Sequence, residues 1–300
     1  MTVIDDLLHG AVDLHCHSGP SPMPRRITHV EAARQAADAG FRAIVVKCHY
    51  HDTVTDLLSM ASELEPLPIQ VFGGIALNSA NGGLNPWATD RSFRMGGRMV
   101  WFPTISSSAH LAHAEQHAET KAHFQPLGML QSEEVRVFES DAEGGWSDAV
   151  RPEVRIIVEQ ARDAGALIST GHLDADQALA VVRTAHEAGH DRVLVSHPDY
   201  VSDIGRERLA EMVELGAYVE HEIAMYDRDH IFPAEQLVDW IRTVGPERTV
   251  LGSDLGQVGN PLPVEGYRRL LARLLELGVA EDDLATMIQR NPAHLIGLDA

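Results

Sequence analysis

Short apolar runs alternate with amphipathic segments along the chain, a beat that predicts strand and helix in turn. The apolar runs fall at residues 12–17, 43–48, 69–74, 98–104, 166–172, 191–197, 217–222 and 249–254, and each reads as a strand. Between them, Thr28-His29-Val30-Glu31 fits a capping box that opens a helix running to Gly40, where glycine supplies the stop. Further helices are predicted over 52–64, from Pro86 to about Met95, from Pro152 onward, and over 174–189, 203–216, 234–244, 264–278 and 281–290. The beat breaks at 106–151, a His-rich excursion (His110, His113, His117, His123) with a turn at Glu143-Gly144-Gly145. Connections of that length are usually lids, binding loops or disordered segments.

Eight strands alternating with helices suit an α/β fold of the (β/α)8 TIM-barrel type better than an open sheet, with a long insertion after strand four. No boundary splits the chain, so 1–300 reads as one domain with 106–151 as an insertion or lid within it. Composition narrows the class further. Lys+Arg 24 against Asp+Glu 44 leaves a net charge of −20, which argues against a nucleic-acid or anionic-membrane partner. No run approaches the roughly 18 apolar residues of a membrane span, and residues 1–10 carry acids where a signal peptide carries bases. The expectation is a soluble cytoplasmic protein acting on a small molecule; a homo-oligomer is compatible with it, a dimer being the commonest form. Two cysteines, Cys16 and Cys48, are too few for a disulfide framework and read as packed thiols facing the covering helices.

The chemistry-bearing residues gather at the carboxyl ends of the strands, where such barrels place their working groups. His15 and His17 alternate on the first strand and so share a face; Lys47 and His49 follow the second, His172 the fifth, His197 the sixth and Asp254 the eighth. Each has a plainer reading: Asp254 as an N-cap, Lys47 as a lysine snorkelling to solvent, and His49 and His51 as loop residues if the second strand ends at Lys47. His221 and Glu222 end the seventh strand, where only one can face inward, and a solvated rim is expected for both. His110, His113 and His117 have helical spacing on a polar stretch and read as a lid surface. Arg91, Arg94 and Arg98 read as a solvated helix face.

Taken in chain order, His15-x-His17, His172, His197 and the Asp254 of Gly-Ser-Asp resemble the metal-dependent amidohydrolase superfamily, as does the closing Asn291-Pro292-Ala293-His294-Leu295-Ile296-Gly297. The resemblance implies a metal-dependent hydrolase in which His15, His17 and Asp254 hold one divalent cation. His172 and His197 then hold a second, or one of them joins the first and the other steadies the substrate's developing oxyanion. Imidazoles with a carboxylate suit Zn, with Mn or Fe as alternatives, and such an ion brings the pKa of its water from ~15.7 to about 7. Asp254 becomes the proton shuttle. One departure stands out: strand four ends Phe102-Pro103-Thr104, without the lysine or glutamate that bridges two metals in many members. Lys47 either takes that bridging place, in carboxylated form, or contacts substrate beside a single ion. The bond cleaved is expected to be C–N or C–O, in an amide, cyclic amide or lactone. A phosphoesterase, or a decarboxylase or isomerase on the same site, is the alternative.

Overall fold

The computed structural model describes residues 2–116, 129–140, 145–226 and 231–298. Its strands are β1 (Val12–Cys16), β2 (Ala43–Val46), β3 (Gln70–Phe72), β4 (Gly74–Ala76), β5 (Met99–Trp101), β6 (Phe138–Ser140), β7 (Trp146–Val150), β8 (Leu167–Ser169), β9 (Val193–Ser196), β10 (Tyr218–Glu222) and β11 (Thr249–Gly252). The third predicted strand is broken at Gly73 into β3 and β4. Strands β6 and β7 form an antiparallel hairpin inside the 106–151 segment. The other described strand pairings are parallel, as helical crossovers require.

The chain divides into two compact units, the first made of Met1–Cys48, Thr53–Gly73 and Val219–Ala300, the second of His49–Asp52 and Gly74–Tyr218. In the first, β10 pairs with β11, and β1 with β2 and β2 with β3. The chain just beyond β11 runs beside β1: Asp254 N donates to His15 O at 2.8 Å, and His17 N to Leu255 O at 2.9 Å. The outward face of β1 carries Cys16 into a core with Leu7, Ala33, Ile44, Leu270 and Ile288, contributed by strands and covering helices alike. Cys16 is therefore a packed thiol, as expected, and Cys48 is buried as well. Thr28 caps the helix His29–Asp38 with Glu31 completing the box. The predicted helix at 52–64 is instead two, Val54–Ser59 and Ala61–Leu64, parted at Met60. Asn291 opens the last helix and donates its side-chain amide to Thr249 O (2.7 Å) and Pro246 O (2.8 Å), fastening that helix to the start of β11.

In the second unit β4, β5, β8 and β9 lie side by side, flanked by the helices Pro152–Ala164 and Ala175–Glu187, whose apolar faces (Val154, Ile157, Val158; Leu179, Val182) are buried. The 106–151 segment carries a helix, Ser108–Gln116, as well as the hairpin. It is tied down by Val137 N donating to Gln177 Oε1 (3.0 Å) and Ser108 Oγ to Asp174 Oδ2 (3.0 Å). His117, His123 and the Glu143-Gly144 part of the expected turn lie outside the described residues. No helix among the described residues is long and apolar enough to cross a membrane.

Candidate metal centre

In the first unit, alternation along β1 turns Asp13, His15 and His17 to one side, and each has a separate task. Asp13 Oδ1 accepts two backbone N–H groups, His15 N at 3.0 Å and Ser253 N at 2.9 Å, while Ser253 Oγ donates to His15 O at 2.9 Å. These bonds hold the end of β11 in register with β1 and bring Asp254 to the histidines. Asp254 Oδ1 lies 3.0 Å from His17 Nε2 and 3.4 Å from His15 Nε2. Asp254 has φ +47°, a left-handed conformation that Asp tolerates better than most residues and that recurs at functional sites. Gly256, at φ +118°, lets the next turn approach His17 O so closely that no side chain fits.

Lys47 follows β2 directly, is wholly buried, and sets its Nζ 2.9 Å from His15 Nε2. Burial brings its pKa down to about 8, against the opposing pull of Asp254, Glu220 and Glu222. Burial, and next the Lys47 charge, push His15 down to about 3, so its ring is neutral at pH 7. Burial likewise raises Asp13 to about 6. Behind His15 stand two carboxylates: Glu220 Oε2 is 3.2 Å from Nδ1 and Glu222 Oε1 is 3.9 Å from it. Ligand atoms of His15, Glu220 and Glu222 lie within 4.8 Å of one another.

The solvated rim expected at the end of β10 is therefore corrected. Glu220, His221 and Glu222 are all fully buried: the two acids share the face toward His15, and His221 packs against Trp240 and Tyr226. Acids two residues apart, Glu220 and Glu222, share one face of a predicted strand, the sequence signal that could have pointed to them. Arg25 was also missed; its Nη2 sits 3.2 Å from His17 Nδ1 and it lines an open cavity of about 450 Å³ with Gly19, Pro20, Ser21 and Met60.

The second unit gathers His49, His172 and His197. The His172 and His197 rings are 4.7 Å apart edge to face, and the His49 ring is 6.1 Å from that of His172. His197, like Asp254, follows its strand with positive φ (+52°). Thr104, which stands where many superfamily members carry a bridging residue, holds His49 by a hydrogen bond of 2.9 Å to Nδ1. Asn78 Oδ1 accepts from Thr104 N (2.8 Å) and Ser106 N (3.1 Å), so its Nδ2 donates to Thr104 Oγ1 (2.7 Å). The threonine hydroxyl then donates to His49 Nδ1, which leaves the proton of the neutral ring on Nε2. His110 is not lid surface, as expected, but buried, with Nδ1 3.1 Å from His172 Nδ1. His113 is half-buried and meets the Tyr200 hydroxyl at 3.3 Å. His51 is a half-buried loop residue; Arg94 is exposed and pairs with Asp90, and Arg91 reaches Asp52.

The chain as a whole resembles solved hydrolase structures. An amidohydrolase from Pseudomonas aeruginosa matches with a TM-score of 0.60 at 12% identity, over 98% of this chain and 97% of that one. An organophosphorus hydrolase from Deinococcus radiodurans matches with 0.57 at 16%, over 96% and 92%. The phosphotriesterase homology protein from Escherichia coli, complexed with phosphate in its active site, matches with 0.54 at 15%, over 96% and 98%. The fold is thus an α/β fold of the (β/α)8 TIM-barrel class, with the insertion after the fourth strand. Residues 10–220 match the model of the family of unknown function DUF6282, and the chain belongs to that family. No curated protein matches it in sequence.

Proposed function

We propose that this protein is a metal-dependent hydrolase that cleaves a C–N or C–O bond in a small substrate. One observation carries the reading: the Nε2 atoms of His15 and His17 meet a single carboxylate oxygen, Asp254 Oδ1, at 3.4 and 3.0 Å. Two imidazoles and a carboxylate at this spacing form a donor set for Zn, with Mn or Fe as alternatives. His15 fits the role well. Its Nδ1 faces Glu220, so the ring proton sits there and the Nε2 lone pair points inward, where the Lys47 ammonium occupies it. His17 is differently set: Nδ1 faces the Arg25 guanidinium, a pure donor, so Nε2 carries the proton given to Asp254. Ligation through His17 Nε2 requires Arg25 to leave Nδ1. For His172 and His197 two roles stay open, ligands of a second cation or support for the substrate's developing oxyanion.

When bound, the cation supplies an acidified water at neutral pH and polarises the bond under attack. The protein's own share lies with Asp254. It is the least buried of the clustered carboxylates, 12% exposed at the side chain while Glu220 and Glu222 are sealed. Asp254 accepts a proton on its carboxylate and returns it to the leaving nitrogen or oxygen, the work of a general base and then a general acid. Lys47 places its buried ammonium in the same cluster, where it interacts with the Asp254 carboxylate. The cavity beside Arg25 is of the size that takes a small molecule.

The test is elemental analysis of the full chain expressed in Zn-, Mn- or Fe-supplemented medium. At least one transition metal per chain is expected, and its loss in His15→Ala and His17→Ala; protein that carries no metal overturns the proposal.

A further inference from the structure

Glu220 sits in the middle of β10, fully buried, where a side chain of that polarity is costly unless something needs it. The neighbouring strand makes room for it. A Cβ on Gly252 would run into Glu220 Oε1 and stand 3.0 Å from its Cδ and 3.1 Å from His15 Cβ. Glycine at 252 is thus the condition for glutamate at 220 beside histidine at 15. The carboxylate meets His15 on the far side of the ring from Lys47 and Asp254: Oε2 lies 3.2 Å from Nδ1, while Nε2 faces Lys47 Nζ at 2.9 Å. A carboxylate at Nδ1 fixes which nitrogen carries the proton, locks the ring plane and raises the basicity of the other nitrogen.

We infer that Glu220 is a positioning residue for His15, acting through the Nδ1 hydrogen bond to hold Nε2 as a lone-pair donor for a divalent cation. The inference rests on the metal-dependent reading above and extends it one residue outward from the ligands. Glu222, 3.9 Å from the same nitrogen, adds field without a hydrogen bond.

The test uses the full chain and Co²⁺ as the probe, read by its d–d absorption and by titration, with circular dichroism to confirm folding. Glu220→Ala is expected to weaken Co²⁺ binding about 10- to 100-fold, the usual effect of losing such a partner. Glu220→Gln keeps an acceptor for Nδ1–H and is expected to retain most of the affinity. Wild-type affinity in Glu220→Ala, or an equal loss in Glu220→Gln, would each overturn the inference. Failure of the unaltered chain to take up Co²⁺ at all would instead remove the metal reading on which it rests.

Discussion

Replacing Gly252 by alanine tests the geometry of the buried acid cluster with a single methyl group. The added Cβ would overlap Glu220 Oε1 and crowd His15 Cβ at 3.1 Å, and neither side chain has solvent to retreat into, since both are fully buried. Overpacking of this kind costs about 1–3 kcal/mol. The backbone at 252 lies outside the positive-φ glycines, so alanine is allowed there and restricts the unfolded chain, a gain of about 0.4–1 kcal/mol that partly offsets the clash. The net expectation is a loss of about 1–2 kcal/mol. At ~2.1 cal/mol/K of unfolding entropy per residue, a chain of 300 residues loses about 1.6 °C of Tm per kcal/mol, so Tm should fall by about 2–3 °C. The sharper result is a change of sign. In a Glu220→Ala background the main clash is gone, and Gly252→Ala should be neutral or slightly stabilising, because contacting residues are not additive. Thermal and urea denaturation of the four proteins, followed by circular dichroism, reads both numbers. The same loss in both backgrounds, or none in either, would refute the placement of Glu220 against Gly252.

Two further outcomes follow from the same structure. Asp254→Asn keeps a side chain that tolerates φ +47° and should leave folding intact while cutting turnover by orders of magnitude; an active Asn variant would remove the proton shuttle. His190 is buried and its pKa is held below the ordinary histidine value, chiefly by desolvation. Below about pH 6.5 the unfolded chain therefore takes up a proton that the folded one refuses, and stability is lost as pH falls from there toward the lowered folded value. His190→Gln should flatten that part of the stability–pH curve, and an unchanged difference between the two proteins across pH 5–7 would count against the buried neutral ring.

Some of this was legible in the amino-acid order because it is written in local patterns. Period-two and helical alternation placed the strands and most helices, and the Thr28 capping box and Pro152 helix start appeared where their spacing put them. The register of His15 with His17 was equally local, since alternate residues on a strand share a face. The sequence also marked Lys47, His172, His197 and Asp254 as strand-end residues. It did not show that Lys47 is sealed from water, that Thr104 and Asn78 set the proton on His49, or that His110 leaves the insertion surface to meet His172. Each of those depends on a partner tens of residues away. Glu220 and Glu222 are the clearest case. From the chain alone, charged residues at a strand end belong in solvent, because an isolated buried carboxylate is among the costliest groups to desolvate. Only the three-dimensional pairing of β10 with a glycine-bearing β11, opposite the ring of His15, supplies the space and the hydrogen-bond donor that make burial tolerable.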